Sequence, residues 1–111
     1  MKGIGIDIVS IERMERVFSE MFKRRVFTER EIADAEGTDR PIHHYATTFA
    51  GKEAVFKALG RGWVEGKMIE IVRDDRGRPA VTLHGIDEDV DEVLLGLSFE
   101  TDYAIAVALL I

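Results

Sequence analysis

The closing run of the chain, Tyr103-Ala-Ile-Ala-Val-Ala-Leu-Leu-Ile111, constrains the fold more than any other stretch. It reads as a β-strand that is apolar on both faces, and such a strand needs cover on both sides. A chain of 111 residues has room for a single modest core, so it reads as one domain spanning residues 1–111. In so small a domain a neighbouring subunit is a ready source of the missing cover. Gly96-Leu-Ser-Phe-Glu100 reads as the preceding strand, joined to the last one by a tight turn at Thr101-Asp102.

At the other end, Lys2 to Val9 reads as a buried strand whose glycines let another backbone approach closely. Asp7 interrupts it. A carboxylate inside an apolar strand is costly to bury without a partner. Two explanations stand side by side. Either Asp7 caps the next helix or answers an internal arginine, or it ligates a metal.

Between the two ends the helical pattern dominates. Ser10 is a good N-cap, and Met14, Val17, Phe18, Met21 and Phe22 form a helical stripe that Lys23-Arg24-Arg25 closes. Thr28-Glu-Arg-Glu31 is a capping box, which predicts a short second helix to about Glu36. Pro41 suits the first turn of a third helix. His43 and His44 on that helix point about 100° apart, which disfavours a shared metal, so both read as surface residues.

The second half of the third helix is Thr48-Phe-Ala-Gly-Lys-Glu-Ala-Val-Phe-Lys-Ala-Leu-Gly60, with Gly60 as its terminating glycine. Glu53 lies between Phe49 and Phe56 at the border of the apolar stripe, four residues before Lys57. A helical ion pair worth a few tenths of a kcal/mol accounts for Glu53 and Lys57. Spacing alone favours that pair, because such pairs are common on helices; the other explanation is a metal and phosphate site, since Mg²⁺ typically takes one or two carboxylates plus substrate phosphates. On that reading Asp7 and Glu53 share the cation, and Lys52 and Lys57 hold phosphate oxygens.

Gly60-Arg-Gly-Trp-Val-Glu-Gly66 follows as a glycine-rich loop, which is either a plain connection or a wrap for a phosphate or nucleotide. Lys67 to Arg73 and Ala80 to Leu83 read as strands about a turn at Asp74–Pro79. Gly85 to Leu95 reads as a short helix with Ile86, Val90, Val93 and Leu94 as its apolar stripe.

The formal net charge of −6 argues against general nucleic-acid affinity, with Lys23-Arg24-Arg25 as a local exception. The absence of cysteine excludes a disulfide scaffold and a thiolate nucleophile. No apolar run approaches membrane-spanning length, and Asp7 stands too early for a signal peptide, so a cytoplasmic protein without membrane association is expected.

Three segments, taken together, carry a resemblance. Gly3-Ile-Gly-Ile-Asp-Ile-Val9, Phe27-Thr-Glu-Arg-Glu31 and Phe49-Ala-Gly-Lys-Glu-Ala-Val-Phe-Lys-Ala-Leu-Gly60 resemble the holo-acyl-carrier-protein synthase family, the small trimeric branch of the 4′-phosphopantetheinyl transferases. Asp75-Arg-Gly-Arg-Pro79 and Tyr103-Ala104 continue the match to the end of the chain. The resemblance implies an α+β subunit with a small antiparallel sheet and a long central helix. It implies a homotrimer with active sites between neighbours, and Mg²⁺-dependent transfer of phosphopantetheine from coenzyme A to a serine of apo-acyl carrier protein, releasing 3′,5′-ADP.

On this resemblance Asp7 and Glu53 match the metal ligands and Lys57 the lysine on the diphosphate. Lys52 and the Gly60-Arg61-Gly62 loop fall near the phosphates. Arg13, Arg24 and Arg25 match the basic surface that meets the acidic carrier protein. The acceptor of the serine proton is left open between the two carboxylates and a water that they hold. Two positions depart from the family. Thr48 stands where an arginine is usual, and Leu97-Ser98-Phe99-Glu100 lacks the histidine of a Ser-x-Ser-His segment. Both changes remove expected contacts to the nucleotide end, for which Arg61 and His84 are candidate replacements. They also motivate an alternative, a non-catalytic oligomeric module that binds carrier protein or coenzyme A without turnover. A structural domain, in which Glu53 and Lys57 are only a helix pair, is the third reading.

Overall fold

The computed structural model describes residues 2–87 and 89–111. Its elements in order are β1 (Gly3–Ser10), α1 (Ile11–Val17), α2 (Glu20–Val26), α3 (Glu29–Glu36), α4 (Pro41–Ala58), β2 (Ile69–Arg73), β3 (Pro79–Leu83), β4 (Val93–Phe99) and β5 (Tyr103–Leu110), with a 3₁₀ turn at Gly66–Met68. Two antiparallel sheets form, one ordered β1-β5-β4 and one pairing β2 with β3. This is the expected α+β arrangement about one long helix.

The centre of the molecule is α4, whose 18 residues begin with Pro41 at the first helical position. It is buried along most of its surface, from Tyr45 to Ala58. Small residues make this possible. Ala104, Ala106 and Ala108 of β5 are buried on the sheet face below it. On β1 the fit is tighter, because a Cβ at Gly3 would collide with Ala58 O and one at Gly5 with Ala54 O. The glycines therefore serve the close backbone approach read from the sequence. A glycine-terminated cap ends α4, with Gly60 at φ 76°. The Gly60 N–H donates to Lys57 O (3.0 Å) and the Arg61 N–H to Phe56 O (3.1 Å), a Schellman pair of bonds.

Three expectations need correction. The stripe from Met14 to Phe22 is two helices rather than one, because Ser19 adopts extended backbone and caps α2 by accepting from the Phe22 N–H at 3.0 Å. The break leaves Val17 and Met21 exposed. The described residues of the stretch 85–95 form no helix, and Val93, Leu94 and Leu95 instead open β4. Glu88, within that stretch, lies outside the described residues.

Finally, β1 is buried on one face only. Ile4, Ile6 and Ile8 are 60%, 60% and 63% exposed. Register places Ile6 opposite Val107 and Ile8 opposite Ile105. Leu94 of β4 lies opposite Leu109. The outer sheet face is thus one continuous apolar surface that the single chain leaves open.

Candidate active site

The alternation of β1 puts Asp7 on the same face as Gly3 and Gly5, toward α4. Helix α4 presents Lys57 there, and Glu53 one turn earlier. Lys57 Nζ donates to Asp7 Oδ1 at 2.9 Å and to Ile6 O at 3.0 Å. The lysine thus reaches across to the strand rather than acting as a simple helical partner for Glu53. Asp7 and Glu53, 46 residues apart in sequence, line one cavity of about 280 Å³ with Arg13 at its rim and Val9, Met14, Val17, Phe22 and Phe49 as apolar walls.

Burial raises the pKa of Glu53 above its ordinary value, and the neighbouring Asp7 charge raises it further against an opposing pull from Lys57. Two carboxylates that repel each other across one cavity, with a single lysine between helix and strand, leave unbalanced negative charge. That is the electrostatic condition a hard divalent cation relieves. The donors are oxygens only, which suits Mg²⁺. Among the described residues no group of three or more metal-binding side chains occurs, so such an ion would take its remaining ligands from water and substrate oxygens.

Lys52 does not belong to this site. It is fully buried on the opposite side of α4, with Nζ 2.7 Å from Glu31 Oε1. It also donates to Gly66 O and Ile69 O. All three ammonium donors are used, which leaves none for a phosphate. Burial lowers the Lys52 pKa, and Glu31 pulls the other way. Glu31 itself closes the α3 capping box and accepts from the Ile71 N–H at 2.7 Å. Its capping role is visible in the sequence, but its second role as counter-ion for Lys52 carries no local signal.

The remaining expected residues are spread around the site. Gly60 and Gly62 are exposed and Arg61 is partly buried, one turn beyond Lys57. Arg13 lies on α1, while Arg24 and Arg25 are exposed on α2, and Arg24 lies 3.7 Å from Glu20. His84 is held at 3.6 Å by Glu70, away from the Asp7 cavity. Thr48 is buried, and its Oγ1 accepts from Arg73 at 3.1 Å. The same guanidinium lies 3.0 Å from His44 Nε2. His44 is therefore not a free surface residue. Burial and the adjacent Arg73 push its pKa down to about 4. His43 bonds Thr101 O at 3.0 Å, which ties α4 to the β4–β5 turn. Trp63, a loop residue to which the sequence reading assigned nothing, packs on Phe49 and Phe56.

A family model described as the 4′-phosphopantetheinyl transferase superfamily matches residues 3–108. The chain belongs to this superfamily. A holo-[acyl-carrier-protein] synthase of Geobacter sulfurreducens is 38% identical, with 97% of this chain and 95% of that protein covered. The crystal structure of the Bacillus anthracis holo-(acyl-carrier-protein) synthase, in complex with CoA (3′,5′-ADP), superposes with TM-score 0.85 at 36% identity, covering 98% and 95% of the two chains. The Neisseria meningitidis synthase superposes with TM-score 0.91 at 29% identity over 100% and 98%. In this member of the superfamily, no described helix is long and apolar enough to cross a membrane.

Proposed function

We propose that this protein is a holo-acyl-carrier-protein synthase, one domain spanning the chain, that moves the 4′-phosphopantetheine arm of coenzyme A onto a serine of apo-acyl carrier protein and releases 3′,5′-ADP. The observation that carries this reading is the meeting of Asp7 and Glu53 at one cavity, with Lys57 bonded to Asp7 beside it, in a chain similar to such synthases over nearly its full length.

Asp7 and Glu53 are the residues that would hold Mg²⁺. Bound there, the ion would offset the negative charge of the diphosphate. Lys57 is held in place by Asp7 Oδ1 and Ile6 O, so its ammonium is pre-positioned beside the cavity. It stabilises charge on the transferred phosphoryl group and on the departing 3′,5′-ADP, the electrostatic contribution that dominates phosphoryl transfer. The carrier serine attacks the phosphorus attached to pantetheine, and its proton passes to one of the two carboxylates or to a water that they hold. The apolar walls take the uncharged part of the arm and exclude water from the reacting atoms. Gly60, Arg61 and Gly62 border the path of the nucleotide beyond Lys57.

Arg13, Arg24 and Arg25 give the α1–α2 side a positive face that steers an acidic carrier protein toward the cavity despite the net charge of −6. The open apolar sheet face is the surface on which three copies assemble, which completes the cover that β1 and β5 lack.

The test is the intact mass of purified apo-acyl carrier protein after incubation with this protein, coenzyme A and Mg²⁺, against an EDTA control. A gain of one phosphopantetheine arm, abolished by EDTA and by D7N or E53A in variants that remain folded, supports the reading. Coenzyme A binding without any mass gain moves the assignment to a non-catalytic binding module.

A further inference from the structure

The chain contains a single tryptophan, and it stands in the loop between α4 and the 3₁₀ turn. The loop is anchored at both ends. Gly60 terminates α4 at φ 76°, and Gly66 lies so close to Val26 that a Cβ there would collide with Val26 O. Between these anchors Trp63 folds back onto the helix. Its ring lies 5.0 Å from Phe49 at an interplanar angle of 34° and 5.5 Å from Phe56 at 63°. Phe49 and Phe56 are two turns apart on α4, and Glu53 stands between them on the same side. Phe49 has a second neighbour, Phe22, at 6.1 Å. Phe49 and Phe22 are both walls of the cavity that holds Asp7 and Glu53.

We propose that Trp63 is a positioning residue of this site: packed at a tilt on Phe49 and edge-on to Phe56, its indole holds the Phe49 ring as the cavity wall beside Glu53, so that the 60–66 loop sets how the arm of the substrate lies against the carboxylates. The inference rests on the transferase reading. A ring stacked on one side only has freedom to rotate about χ1 and χ2. With ring contacts to both Phe22 and Trp63, Phe49 has less freedom to rotate than with Phe22 alone. Removing the indole frees the ring to swing toward the vacated space. The apolar wall is then ill-defined, and the substrate arm is held more weakly in the ground state and the transition state alike, which raises KM with little change in kcat. Phenylalanine at position 63 keeps a ring in the stack and keeps the wall.

The experiment compares wild type, W63F and W63A by steady-state transfer to apo-acyl carrier protein, with thermal melting as the control for folding. Intrinsic fluorescence of the wild type during coenzyme A titration in Mg²⁺ supplies an independent reading from the lone tryptophan. W63A raises KM for coenzyme A about tenfold and changes kcat less than about threefold. W63F keeps KM within about twofold, and the wild-type emission shifts saturably with coenzyme A. Equal KM in W63A and wild type overturns the proposal. So does a W63A defect that W63F shares in full, because the ring stack would then not be the operative feature. A W63A that fails to fold shifts the decision to W63F and the titration, where unchanged emission at saturating coenzyme A counts as refutation. Failure of the wild type to form any product refutes the transferase reading itself, which none of the outcomes at position 63 does.

Discussion

Replacing Lys52 with methionine decides between a lysine that serves the substrate and one that serves the fold. The ammonium is fully buried and paired with Glu31 at 2.7 Å. Methionine keeps most of the length and apolar volume but removes the charge and all three donors. Glu31 then retains only its bonds from the Thr28 and Ile71 N–H groups, and Gly66 O and Ile69 O lose their donor. Leaving one partner of a buried pair uncompensated costs about 3–5 kcal/mol. For a domain of this length the unfolding entropy is about 0.23 kcal/mol per degree, so the melting temperature falls by about 13–22 °C. The assay is thermal unfolding followed by circular dichroism at one fixed protein concentration, because association of subunits adds to apparent stability. Adding E31Q to K52M removes the stranded charge and recovers at least about half of the loss. Transfer by folded K52M, measured well below its melting point, stays within about threefold of wild type. A K52M protein that melts within about 3 °C of wild type while losing transfer refutes the reasoning, because the ammonium would then be acting on phosphate.

Three further outcomes follow from the same geometry. Gly5→Ala drives a Cβ into Ala54 O, so it destabilises by about 3 kcal/mol or more and lowers transfer even where the protein remains folded, read by the same melt and by product mass. Burial and the adjacent Arg73 push the His44 pKa down to about 4 in the folded state, from an ordinary value of about 6.5. The unfolded chain therefore binds the proton more tightly between those values. Its contribution is complete above pH 6.5 and is lost as the pH falls toward 4, by about 1–2 kcal/mol after allowance for partial exposure. Urea midpoints at pH 7 and pH 4.5 should differ less in His44→Gln than in wild type. Ile8→Glu puts a carboxylate into the open apolar face and should convert a trimer into monomers in sedimentation velocity, and a wild type that sediments as a monomer refutes the assembly.

Local signals made much of this architecture legible from the residues. Thr28 and Glu31 announced α3 because a capping box is written in adjacent backbone and side-chain chemistry. Gly60 announced the end of α4 for the same reason. One failure was local, and two were long-range. Ser19 is as good a cap as Ser10, but the apolar stripe ran through it, and periodicity outweighed the cap in the reading. The acidic stretch after Gly85 had helical spacing that pairing of Val93–Phe99 with β5 overrode. At the site, Lys52 and Lys57 looked alike in sequence. Five positions correspond to about 500° of helix rotation, which sends one to the interior pair with Glu31 and the other to Asp7. Only the position of α4 between the two sheets distinguishes them.

The contact between β1 and α4 has a consequence for how such a site survives sequence drift. Asp7 rides on one backbone and Glu53 with Lys57 on another, and the gauge between these two rails is set at Gly3 and Gly5 by main-chain atoms alone. Exchange of one aliphatic residue for another elsewhere in the core alters volume and melting temperature, yet it has no lever on that gauge. A single methyl group at position 3 or 5 does. The spacing of the proposed site is thus insulated from most of the protein's variation and exposed at two residues that carry no chemistry of their own.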